Sequence, residues 1–170
     1  MKDSQDNHEQ ALAYKAVVEK LWAEPVFDAC RDSLPTPADA TVLVAEARCG
    51  YVPLELAKLS GDSTRIIALD SHSSMLDVAR KRAEGKDGED RIYFVAQRVG
   101  DLSYADEVFQ AGICLDGICT NRQAREGVAE LARVTADGGR VVVAAPLASS
   151  FPEFYDMLDE ALRAHELTDV

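Results

Sequence analysis

The 170-residue sequence predicts a single α/β domain built on a doubly wound parallel sheet. Three observations lead there. Five short runs are apolar almost throughout, as strands covered on both faces must be. Most of these runs are followed by a stretch of helical length and period. No apolar run approaches 18 residues, so none reads as a transmembrane helix.

The elements follow in order. Leu12, Val17, Val18, Leu21 and Trp22 recur near the helical period, and Pro25 is expected to break that run. A short second segment, Val26 to Leu34, stops at Pro35-Thr36-Pro37. Residues 1–37 are therefore read as a helical lead-in with a proline linker, and 38–170 as the α/β unit. Thr41 to Ala45 is the first strand, and Leu54 to Leu59 a short helix. Arg65 to Asp70 is the second strand, with a helix over Ser73 to Glu84 that places Met75, Leu76, Val78 and Ala79 near one face. Ile92 to Ala96 and Ala111 to Leu115 are the third and fourth strands, joined through a loop or single turn at Leu102 to Phe109. Asn121 to Val134 reads as a helix with Val128, Leu131 and Ala132 inward, Gly139 to Ala144 as the fifth strand, and Phe151 to His165 as a last helix.

Thirty acidic against eighteen basic residues leave a net charge of −12, the wrong sign for a phosphate backbone or an anionic membrane. Neither nucleic acid nor membrane is an expected partner. Cys30, Cys49, Cys114 and Cys119 form no CxxC pair, and the start of the chain is polar, so they read as reduced thiols in a cytoplasmic protein. His8, His72 and His165 lack metal-ligand spacing, and no metal is expected.

Three segments carry a resemblance. Ile67-Ala68-Leu69-Asp70-Ser71-His72-Ser73-Ser74-Met75-Leu76 puts an acid at a strand end before a Ser-x-x-Met-Leu helix start. Leu102 to Phe109 leads into a strand, and Glu130-Leu131-Ala132-Arg133-Val134-Thr135-Ala136-Asp137-Gly138-Gly139 forms a Glu-x-x-Arg helix end and glycine turn. Together these resemble class I S-adenosylmethionine-dependent methyltransferases, over roughly Thr41 to Ala144. The resemblance implies a Rossmann-like sheet and ligand binding beyond the carboxyl ends of its strands.

Its cofactor positions transfer to Gly50, Asp70, Ser71, Arg98 and Val99, with no catalytic residue and no metal ligand assigned. Asp70 matches the acid that accepts hydrogen bonds from ribose hydroxyls; its bare alternative is a cap for the helix at Ser73. The glycine loop departs from the family pattern. It reads Val42-Leu43-Val44-Ala45-Glu46-Ala47-Arg48-Cys49-Gly50, with Val44 for an acid and Glu46 and Arg48 for two glycines. Such side chains should fill the groove, send the loop along another path, and set Arg48 against Glu46. Arg98 stands where the family has an acid for the adenine amino group, and is expected to pair with Asp70 or Asp101 unless it points to solvent. Gln110 stands for a further acid. Asp116 is either a general base at a strand end or a turn residue.

These departures predict a degenerate methyltransferase-like domain with no cofactor, acting as a protein-interaction, scaffolding or regulatory module. The alternative is an active methyltransferase with a rebuilt glycine loop, acting through S-adenosylmethionine on a small molecule or protein. The family closes its sheet with an antiparallel hairpin that has no counterpart before Val170. The fifth strand, residues 140–144, is therefore expected at a sheet edge, available to a protein partner or to self-association.

Overall fold

The computed structural model describes residues 2–116 and 124–146, with isolated positions 150, 152, 156, 157, 160 and 163. Five strands are present: β1 Thr41–Ala45, β2 Arg65–Asp70, β3 Ile92–Ala96, β4 Phe109–Cys114 and β5 Thr135–Val143. They form one sheet in the order β3-β2-β1-β4-β5, with every pairing parallel. The strand order reverses between β1 and β4, the place where doubly wound sheets open a crevice at their carboxyl ends.

The sheet is covered on both faces because its side chains alternate. Val42 and Val44 of β1 join a core with Ile66, Ala68, Ile113 and helix α3 (Tyr51–Leu59). Leu43 and Ala45 point the other way, into a core with Leu69, Phe109 and the Leu131 and Val134 side chains of helix α5. Helix α5 spans Ala124–Val134. Each fully buried Leu or Ile here contributes roughly 1.5–3 kcal/mol of hydrophobic stabilisation. Helix α4 (Ser73–Ala83) connects β2 to β3.

The N-terminal region is helical from Lys2 to Ser33, but not uniformly. Helix α1 (Lys2–Ala13) continues into a π-helical stretch, Tyr14–Ala23, and then into helix α2 (Glu24–Cys30). The expected break at Pro25 does not occur. The backbone stays right-handed helical through Ala23 and Glu24, and Pro25 falls where the π-helical stretch hands over to the first turn of α2. Phe27 and Leu34 belong to the same core as β1 and α3. The Pro35–Pro37 stretch is fastened by the Thr64 hydroxyl, which donates to the Pro37 carbonyl at 2.9 Å.

Several boundaries differ from those read off the sequence, and β4 runs over Phe109–Cys114 rather than Ala111 to Leu115. Helix α3 begins at Tyr51 rather than Leu54, because Gly50 caps it in the left-handed region at φ +82°. Strand β5 begins at Thr135, which pairs with Phe109; the register then jumps so that Arg140 faces Ala111. The Asp137-Gly138-Gly139 turn forms a bulge inside β5. A side chain at Gly139 would lie 2.7 Å from the Ala136 carbonyl oxygen. Among the described residues, β5 pairs only with β4. The expected last helix over 151–165 lies outside the described residues apart from isolated positions, as do residues 121–123 and Cys119.

Candidate functional site

The carboxyl ends of β1, β2 and β4 converge on the loop from Glu46 to Gly50. Its backbone is the first finding. Glu46 at φ +51°, Arg48 at φ +49° and Gly50 at φ +82° all lie in the left-handed region. The loop makes left-handed turns at both substituted positions. It keeps the turns that glycines make freely, at a cost of order 1–3 kcal/mol for each non-glycine residue. Tight packing holds it: the Ala47 N–H donates to Leu69 O at 2.8 Å, Gly50 N–H to Ala47 O at 2.9 Å, and Ala47 is buried.

Asp70 ends β2 with its side chain fully buried. Both carboxylate oxygens are occupied. Oδ1 accepts from the His72 backbone N–H at 2.8 Å and lies 3.0 Å from His72 Nδ1. Oδ2 accepts from the Arg48 backbone N–H at 3.0 Å, with the Arg48 guanidinium Nη1 at 3.6 Å. A buried carboxylate of this kind is a strong acceptor that the fold has provided with donors from the neighbouring loop.

The Arg48 guanidinium lies among three carboxylates. Nη1 is 3.3 Å from Glu46 Oε2, as the sequence reading favoured, and Nε is 3.7 Å from Asp116 Oδ2. Nε is buried and makes no hydrogen bond among the described residues. Burial raises the Glu46 carboxyl above the usual range, although Arg48 pulls the other way. Asp116, just past β4, accepts a hydrogen bond from the Tyr14 hydroxyl. Burial and the Asp116 charge push the Tyr14 phenol upward, so it stays a neutral donor. The space among Tyr14, Glu46, Arg48 and Asp116 amounts to about 10 Å³, room for at most one water.

The remaining predicted positions separate. Gly50, Asp70 and Ser71 lie together at this end of the sheet, and the Gln97 N–H donates to Asp70 O at 3.1 Å, which brings the loop after β3 alongside. Val99 is buried in the core with Leu43 and Leu102. Arg98 is exposed and makes no ion pair among the described residues; Arg48, not Arg98, is the arginine on Asp70. Gln110 lies at the far end of the sheet, accepting from the Thr41 N–H at 2.8 Å. Cys49 is buried, donates to Ala11 O at 3.2 Å, and has its thiol pushed up to about 11 by burial, which removes it as a nucleophile. The sequence reading missed Tyr14, which reaches Asp116 across 102 residues and carries no local signal.

The implied cofactor needs an acceptor for its ribose hydroxyls and a backbone it can approach closely. Asp70 supplies the acceptor a ribose diol requires, and the loop backbone follows the path that brings peptide groups close to a ligand. The set fits; the Arg48 and Tyr14 side chains take up the space.

Comparison with known proteins adds the family. The methyltransferase-domain family matches residues 44–139. A demethylmenaquinone methyltransferase of Beutenbergia cavernae is 30% identical, covering 86% of this chain and 66% of its own length. The chain spans about one third to two thirds of the curated relatives it matches. Among solved structures, a Methanococcus maripaludis protein assigned as an S-adenosylmethionine-dependent methyltransferase aligns with TM-score 0.70 at 18% identity, over 91% of this chain and 70% of that one. The geranyl diphosphate C-methyltransferase of Streptomyces coelicolor, solved with S-adenosylhomocysteine, aligns with TM-score 0.61 at 15% identity, over 71% and 42%. These structural likenesses bear on the fold. The family match and the methyltransferase relative overturn the expectation of a cofactor-free interaction module and point to the alternative, a catalytic domain that uses S-adenosylmethionine. Substituted glycines misled because the left-handed loop survives without them. The chain belongs to the methyltransferase-domain family.

Proposed function

We propose that this chain is the catalytic domain of an S-adenosylmethionine-dependent methyltransferase. One observation carries the reading: the fully buried Asp70 carboxylate faces a loop that keeps left-handed backbone at 46, 48 and 50. A domain that had lost its cofactor would have no need to hold two non-glycine residues in that strained conformation. Asp70 would accept from the ribose hydroxyls, with Gly50, Ser71 and the backbone of the loop at Arg98 and Val99 along the same wall. When bound, the cofactor supplies an activated methyl group on a sulfonium.

The relative's name supports a quinone-type ring as acceptor, and the charge of −12 argues against a polyanion. Among the described residues no helix is long and apolar enough to cross a membrane. A cytoplasmic setting is part of the proposal, supported by Cys30 and Cys49 forming no disulfide among the described residues.

Calorimetric titration with S-adenosylhomocysteine tests the reading. Binding at tens of micromolar or tighter is expected in the wild type, with loss of at least tenfold in Asp70→Ala, about 1.4 kcal/mol. No binding at millimolar ligand refutes it.

A further inference from the structure

The groove contains its own competitor. A ribose diol would have to approach a carboxylate whose two oxygens are already engaged, Oδ2 by the backbone and guanidinium of Arg48. That guanidinium is in turn held by Glu46 and Asp116, and Asp116 is held by Tyr14 from the N-terminal arm, residues 2–33. The chain of contacts runs without a gap from the ribose acid to the arm.

We propose that Arg48, Asp116 and Tyr14 form an autoinhibitory latch across the cofactor groove, so that ligand binding requires Arg48 to leave Asp70 and Tyr14 to release Asp116. This rests on the proposed cofactor reading.

Three features support a contact built to open. The Arg48 guanidinium is a loose fit to all its acids: every N–O separation is 3.3 Å or more, and its buried Nε makes no hydrogen bond among the described residues. A permanent buried ion pair would be expected to close these gaps, since leaving a buried donor unsatisfied is costly. The arm itself has other anchors. Arg82 Nη1 donates to both Glu19 oxygens at 2.8 and 2.7 Å, and Trp22 Nε1 donates to Leu115 O at 3.1 Å. Releasing Tyr14 therefore leaves the arm tethered. Lastly, the arm carries the π-helical stretch that starts at Tyr14, a rare form that is frequent at functional sites.

Asp70 keeps its backbone donors when the latch opens. The N–H groups of Arg48 and His72 belong to the loop and to the start of α4, so only the guanidinium and the exposed His72 ring must yield to ligand hydroxyls. The vacated Arg48 remains a cation beside the groove.

The test uses the whole chain and two variants. Tyr14→Phe removes the hydroxyl with little change of volume, and Arg48→Lys keeps the charge that balances three acids while removing the planar fork. S-adenosylhomocysteine affinity is measured by calorimetry, and amide exchange over residues 11–23 is measured without ligand. The latch predicts about tenfold tighter binding in Tyr14→Phe, at least threefold in Arg48→Lys, and faster exchange of the arm in Tyr14→Phe. Wild-type binding that neither variant tightens overturns the latch and leaves the cofactor reading standing. Weaker binding in Tyr14→Phe overturns it too, because Tyr14 would then be a ligand contact. Absence of binding in all three proteins refutes the cofactor reading, and the latch with it.

Discussion

Replacing Gly50 with alanine separates two costs that the loop imposes at one position. Gly50 has φ +82°, and a Cβ built there would lie 2.8 Å from the Ala79 Cβ and 3.1 Å from its Cα. The left-handed backbone costs an L-residue roughly 1–2 kcal/mol. Forcing a methyl into a packed contact costs about 1–3 kcal/mol more, since Ala79 is fully buried in α4 and cannot rotate away. Gly50→Ala is therefore expected to destabilise by roughly 2–5 kcal/mol. At this size of domain each kcal/mol lowers the melting temperature by about 2–4 °C. Ala79→Gly alone should cost about 1 kcal/mol as an ordinary helix-interior substitution. The double variant relieves the clash and leaves the backbone strain. Urea unfolding of all four proteins should then give a coupling energy of about 1–3 kcal/mol. Strict additivity, or a Gly50→Ala loss below about 1 kcal/mol, would refute the claim that α4 packs against an obligatory left-handed turn.

Further outcomes are expected. Two Arg133 nitrogens, with help from the Leu102 N–H, hold the Glu130 carboxyl down at about 2. Its contribution is present above the ordinary value of 4.5 and lost as pH falls from there toward 2, so Glu130→Gln should flatten the acid limb of the stability curve, read by chemical unfolding between those values. Glu46 has the opposite sign: burial raises its folded value, so stability falls as pH rises from 4.5 through it. In Glu46→Gln that decline should disappear; an unchanged slope would mean Glu46 is not desolvated. If the β5 edge serves self-association, sedimentation equilibrium at micromolar concentration should show a dimer that Val142→Pro weakens, and a strict monomer would remove the edge as an interface.

The sheet was legible because strands buried on both faces read as apolar runs, and all five appear where such runs lie. Their ends were less so. The start of β5 was hidden because Thr135 pairs before a bulge that no periodicity encodes. The three motif segments proved structural as well as diagnostic. Glu130 and Arg133, three positions apart, fasten the loop at Leu102, Tyr104 and Asp106. The site was half legible. Asp70 and the Glu46–Arg48 pairing follow from local spacing, whereas the Tyr14–Asp116 contact spans the chain. The false inference came from treating glycine as the only residue able to supply a left-handed turn, when surrounding contacts can hold Glu46 and Arg48 there.

The two ends of the π-helical stretch are fixed to adjacent residues: Tyr14 to Asp116 and Trp22 to the Leu115 carbonyl, contacts that close loops of 102 and 93 residues. Such closures are entropically slow and must wait for β4 to exist. At ordinary synthesis rates of about 5–20 residues per second, the arm leaves the ribosome roughly 5–20 s before its docking site does. In that interval Trp22 has no Leu115 carbonyl to meet, and Val17, Val18 and Leu21 remain exposed even after docking. The arm is thus made well ahead of the residues it docks on, and that order of assembly gives nascent-chain quality control a window in which to meet it.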